Sequence, residues 1–219
     1  MTNATETSIM ISDGTFHDVL DVVPQSFTLE NIAISLGNVC RWGGHLGHSV
    51  NQPRESPERR ITQRPEPLRR LKSNFYSVAE HSVLGARYHM NRKEDDKARL
   101  FLLHDAGEPF LGGDIPTPLK RELPLVSEWE DEIHRVLKDA FSLRGSFSDI
   151  KETDIRICRN ETIGLYGDQA DWAKSIPPLY YENDWDKTLI RVEKWSPEQA
   201  MNEWYDLAVK LKLENKYAA

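Results

Sequence analysis

The 219-residue chain has little cysteine, no long apolar run and a deficit of positive charge. Its two cysteines, Cys40 and Cys158, cannot build a disulfide framework and have no zinc-finger spacing, which points to a reducing compartment. No apolar stretch approaches the roughly 20 residues a bilayer-spanning helix needs, so no membrane association is expected. The opening Met-Thr-Asn-Ala-Thr-Glu-Thr-Ser lacks a basic segment followed by an apolar one. No secretory signal is therefore expected, and a cytoplasmic location is. With 28 Lys and Arg against 35 Asp and Glu, the net charge is −7. That argues against stable nucleic-acid binding, because phosphate backbones are held by basic surfaces. A small nucleotide in a locally positive pocket remains compatible with it. No internal repeat is present. What is there, 39% apolar and 29% charged residues, suits one ordinary globular domain over 1–219.

Periodicity reads as mostly α. Residues 1 to about 25 form a polar arm with one short strand. From an N-cap at Thr28, Leu29, Ile32, Ala33, Leu36 and Val39/Cys40 recur at helical spacing until Arg41-Trp42-Gly43-Gly44 favours a turn. A second helix starts at Ser77 and carries His81. A third, capped at Asp95 or Asp96, runs to His104-Asp105. Gly107, Pro109 and Gly112-Gly113 then open a loop through Lys120. Long amphipathic helices follow from Val126 and from near Ser148, the latter carrying Ile150, Asp154, Ile157, Cys158 and Glu161. Residues 167–195, rich in Trp and Tyr, read as loop, and their aromatics suggest subunit contacts in a homo-oligomer, dimer or hexamer. Ser196-Pro197 caps a terminal helix.

The segment 46–74 differs in kind. It carries Pro53, Pro57, Pro65 and Pro67, with seven Lys or Arg against three Glu. Nearly thirty residues of loop is long for a compact domain without a purpose. Two readings stand: a solvated insertion, or a positive lid over an anionic substrate.

His104-Asp105, at the end of the apolar run Leu-Phe-Leu-Leu, is the most informative pair. Imidazole and carboxylate together suit a divalent cation of intermediate hardness. A carboxylate among the apolar residues of a helix is costly unless paired or ligating. Asp154, among Ile150, Ile157 and Cys158, is such a residue, and His81 is a further imidazole on its own helix. A lone histidine on an apolar face is more often a satisfied core residue; the constellation is what shifts the balance.

Tyr-Ser-Val-Ala-Glu-His81, Leu-Leu-His104-Asp105-Ala-Gly-Glu108, Gly-Asp114-Ile-Pro-Thr-Pro-Leu-Lys120 and Thr-Asp154 occur in this order. Together they resemble the HD-domain phosphohydrolases, in the branch of bacterial 5'-deoxynucleotidases and phage dATP triphosphohydrolases. Arg41-Trp42 resembles the arginine-tryptophan pair of that branch, and the likeness covers about 28–166. It implies an all-α helical bundle around a single metal, located in the host cytoplasm if the chain is phage-encoded.

The resemblance makes His81, His104, Asp105 and Asp154 the ligands of a divalent ion, whether Zn, Co, Mn or Mg. It implies acid/base or water-orienting work for Glu108 and contact with the sugar or leaving group for Asp114. Arg41 would fork onto phosphate, Lys120 would add a point charge for a longer polyphosphate, and Trp42 would stack on a base. Apart from the resemblance, His45 and His48 lie in a glycine-rich setting without a carboxylate partner, which points to phosphate contact or plain exposure and not to a second metal site. His17, His89 and His134 read as ordinary residues. The expected substrate is a purine deoxynucleoside triphosphate such as dATP, with dNMP hydrolysis as the alternative. A nucleotide-binding regulator with a retained metal is the non-enzymatic alternative, and a helical interaction domain without a site requires the spacing to be accidental.

Overall fold

The structure, a computed structural model, describes residues 7–46, 75–167, 170–183 and 186–218. His48 and the basic segment expected over 46–74, Leu46 aside, lie outside these residues.

The described residues are mostly helical. After the antiparallel hairpin β1 (Ser8–Met10) and β2 (Phe16–Asp18) come α1 (Leu29–Asn38), α2 (Val78–Asn91) and α3 (Asp95–Leu103). Then follow α4 (Thr117–Glu122), α5 (Pro124–Ala140), α6 (Lys151–Tyr166), the hairpin β3 (Tyr180–Asn183) with β4 (Asp186–Leu189), and α7 (Pro197–Lys210). Helix starts follow elementary capping. The side chains of Thr28, Ser77 and Ser196 accept from the backbone N–H groups of Asn31, Glu80 and Gln199, which satisfies donors the helices leave unpaired.

Helix α2 is the centre, packed by α3, α7, α1 and α6. Phe27, Leu36, Phe101, Leu102, Ile157 and Trp204 are fully buried around it, each contributing about 1.5–3 kcal/mol of transfer free energy. The Trp204 indole donates to the Leu102 carbonyl at 3.1 Å, so its polar edge is satisfied. Next to His81, the buried Glu80 accepts from the backbone N–H groups of Glu193, Lys194 and Trp195 at 2.6, 3.0 and 2.8 Å. Those bonds pin the strand-to-α7 connection to the helix that carries the candidate ligand.

Local details differ from the sequence reading. Residues 117–122, expected as loop, form α4, because Pro118 falls in the first turn, where a missing N–H costs nothing. The β3–β4 hairpin lies in the expected 167–195 loop; β4 is largely exposed and so carries no apolar alternation to reveal it. Helix α3 is preceded by Glu94 rather than by an aspartate cap, and α5 begins at Pro124. Among the described residues no helix is long and apolar enough to cross a membrane.

Candidate metal centre

Three helices deliver the site. Helix α2 contributes His81, the end of α3 contributes His104 and Asp105, and α6 contributes Asp154. His81, His104 and Asp154 each present one ligand atom, all within 4.8 Å of one another. His81 Nε2 lies 3.3 Å from His104 Nε2 and 3.2 Å from Asp154 Oδ1; His104 Nε2 lies 3.8 Å from Asp154 Oδ1. Atoms bonded at about 2.1 Å to one tetrahedral ion stand about 3.4 Å apart, which matches these separations. Asp105 stands beside this group, with Oδ1 3.1 Å from His104 Nε2 and Oδ2 3.7 Å from His81 Nε2.

The hydrogen bonds behind the ligands decide which atoms are bare. His81 Nδ1 is 2.7 Å from the Glu161 carboxylate, and His104 Nδ1 is 2.6 Å from the Phe101 carbonyl. Both partners can only accept, so each neutral imidazole keeps its proton at Nδ1 and turns an unprotonated Nε2 inward. Asp154 Oδ1 is buried without a hydrogen-bond partner. In the neutral imidazoles two lone pairs thus converge with carboxylate oxygens, beside which the Arg41 guanidinium stands. Such a group demands a positive charge, and the donor set fits a divalent cation. A proton on His81 can meet the same demand in place of a cation. Burial alone would lower the His81 imidazole, but Glu161 and Asp154 push it up to about 9. Burial opposes ionisation of Asp154 too, yet His81, His104 and Arg41 hold it down at about 2.

Glu161, on α6, is the organising residue that the sequence reading left without a role. Fully buried, it accepts from His81, from the Tyr76 hydroxyl at 3.0 Å, from Arg41 Nε at 3.1 Å and from the Trp42 indole at 2.9 Å. The only signal in the sequence was its position two turns after Asp154, on the same stretch as Cys158. Arg41 in turn reaches Asp105 Oδ2 at 3.4 Å and Asp154 Oδ1 at 3.6 Å.

The chain around Arg41 is shaped for this. Cys40 pairs with Ser77 as an isolated antiparallel bridge, and Arg41 N–H donates to the Tyr76 carbonyl. The described residues Cys40–Arg41 and Tyr76–Ser77 are thereby held together beside the site. Trp42 adopts a left-handed conformation, with φ 61°, an uncommon choice for a bulky residue. Its backbone N–H donates to Asp114 Oδ2 at 2.6 Å, which supports that turn.

Glu108 follows α3 in a short 3-10 turn and is buried, with Oε2 lacking a hydrogen-bond partner. Burial first, then the charges of Asp105 and Asp114, raise its carboxyl well above the ordinary range. Its surroundings therefore favour the protonated form, as suits a group placed for acid/base work. Lys120 lines the same cavity but is paired with Glu130 at 2.5 Å, so its charge is largely committed. Arg41, Trp42, Asp105, Glu108, Asp114 and Asp154 all line a cavity of about 730 Å³, within the range of small-molecule sites. His45 is exposed and absent from that lining; its carbonyl accepts from the Tyr166 hydroxyl. The His134 ring donates from Nε2 to the His104 carbonyl at 2.8 Å, bracing the ligand-bearing turn.

No protein-family model matches this chain. It is similar to an uncharacterized protein of Escherichia coli strain K12, YfdR, at 33% identity over 115 residues. The match covers 52% of this chain and 47% of that relative, so the chain spans about half the relative's length.

Proposed function

We propose that the chain is an HD-type, metal-dependent phosphohydrolase of deoxynucleotides, with a purine deoxynucleoside triphosphate such as dATP as the favoured substrate. One observation carries this reading: His81, His104 and Asp154 form a group that could hold a metal ion, and its Asp154 lines the cavity that also holds Glu108 and Arg41. His81, His104 and Asp154 would hold the ion, with Asp105 as fourth ligand. When bound, a divalent ion (Zn, Co, Mn or Mg) supplies Lewis acidity, polarising a phosphoryl oxygen and easing the ionisation of water near neutral pH.

The chain's own residues divide the remaining work. Glu108 does acid/base or water-orienting work, its carboxyl held toward the protonated form by burial and by Asp105 and Asp114. Arg41, held at Nε by Glu161, directs its other nitrogens toward the ligand carboxylates, where a phosphate would also lie. Asp114 commits one oxygen to Trp42, and its other oxygen can accept from a sugar hydroxyl.

A second reading, hydrolysis of deoxynucleoside monophosphates, is favoured by the Lys120–Glu130 pair, since a paired lysine offers less charge to a triphosphate tail. The basic composition of 46–74 favours the triphosphate. A panel of nucleoside mono-, di- and triphosphates with Mn, Co or Zn, read by product identification, separates the two. Deoxyadenosine and triphosphate released from dATP is the expected result. Orthophosphate from dAMP with dATP intact selects the second reading. No release from any nucleotide with any of these metals sinks both.

A further inference from the structure

The cavity that holds Arg41, Asp105 and Asp154 has a second, apolar portion formed by Ile155, Trp172 and Ile176. Trp172 is the unusual member, a large aromatic side chain left 57% exposed. It sits on a short 3-10 turn, Asp171–Ala173, whose last residue is completely buried and whose N–H donates to the Ala170 carbonyl. The turn is therefore anchored while the indole is not covered.

Trp42 is less able to offer a free plane. Its indole N–H is taken by Glu161, the Tyr166 ring meets it edge-on at 5.8 Å and 71°, and Trp172 lies 6.1 Å away at 48°. A flat base sandwiched between two rings needs about 7 Å between them, twice the ordinary contact distance. The space between Trp42 and Trp172 is too narrow and too tilted for that. What the cavity offers a ring, among the described residues, is therefore the surface that Trp172 leaves open.

From this we infer that Trp172 is the platform on which the substrate's nucleobase stacks, with Trp42 as the wall behind it. The inference rests on the deoxynucleotide reading above. A nucleotide has the matching polarity, a flat aromatic at one end and an anion at the other, and this cavity offers an exposed indole together with Arg41. A protein side chain seated on Trp172 would instead block the cavity that the candidate metal centre borders.

The test uses Trp172→Ala, Trp172→Phe and the unaltered protein. Two readouts are taken: kcat/KM for a deoxynucleotide relative to deoxyribose 5-phosphate, which has no base, and quenching of tryptophan fluorescence by unphosphorylated deoxyadenosine. The ratio should fall about tenfold in Trp172→Ala and recover in Trp172→Phe. Deoxyadenosine should quench the unaltered protein, and the quench should be lost in Trp172→Phe. Hydrolysis of deoxynucleotides with an unchanged ratio and no Trp172-dependent quench overturns the platform and leaves the phosphohydrolase standing. A Trp172-dependent quench without hydrolysis supports the platform and removes the hydrolase. Absence of both hydrolysis and quench overturns both.

Discussion

Glu161 Oε1 stands 2.7 Å from His81 Nδ1, and the same carboxylate holds Arg41 Nε and the Trp42 indole. A single buried side chain thus orients a candidate ligand, the Arg41 guanidinium and the Trp42 ring. Glu161→Gln should weaken cation binding about 10–100-fold, the usual cost of losing a partner behind a metal-bound histidine. Competition against a chromophoric chelator measures it. An affinity equal to that of the unaltered protein would show that the ring is held by its packing alone.

Ligands and proton carrier should separate cleanly. His104→Ala and Asp154→Ala are expected to lose bound metal and turnover together. Glu108→Ala should keep the metal and lose about 10²–10⁴-fold in kcat. Metal content by elemental analysis beside kcat decides it; full metal and full activity in either ligand variant removes that residue from the site.

Proton and cation compete for His81. With the imidazole held up to about 9, its second proton is bound at neutral pH and must leave before Nε2 can ligate. Protonation therefore opposes the cation, and affinity rises with pH. The apparent association constant should climb up to about tenfold per unit from about pH 6 and flatten above about pH 9. Calorimetry in buffers of different ionisation enthalpy should detect proton release; a flat profile over that range would argue that His81 binds no second proton.

Gly85 is a steric prediction. A methyl group there would come 2.1 Å from the Phe101 ring, which is fully buried and lies 5.4 Å from His81 and 4.6 Å from His104 by ring centroids. The helix-propensity gain of Gly85→Ala, about 1 kcal/mol, is outweighed by overpacking of about 1–3 kcal/mol. A lower urea midpoint is expected, with weaker metal binding as the ring is pushed toward the histidines. An unchanged midpoint would mean that α2 and α3 can move apart freely.

The candidate group was legible because His81, His104 and Asp154 are residue types that rarely lie among apolar neighbours without a partner, and helical spacing alone assigned each to its own helix. The terminal helix was legible from Ser196-Pro197 and its apolar stripe. Glu161 was not, since its role exists only through partners 80 and 120 positions away. Lys120 shows the reverse failure. As a residue it is a free charge, and only the approach of α5 to α4 reveals that Glu130 neutralises it. Trp172 read as one more aromatic in a loop, because the sequence could not show that Ala173 is anchored while its neighbour is bare.

Helix α2 has ten of its fourteen residues buried, with Glu80 and His81 adjacent on it and serving different sides of the molecule. The unbroken buried run over 78–86 leaves those amides little route to solvent short of opening the whole molecule. Cation binding at His81 would then slow that exchange, raising the opening free energy by RT ln(1 + c/Kd) at free-cation concentration c. Deuterium uptake along α2 thus becomes a gauge of site occupancy that needs no substrate.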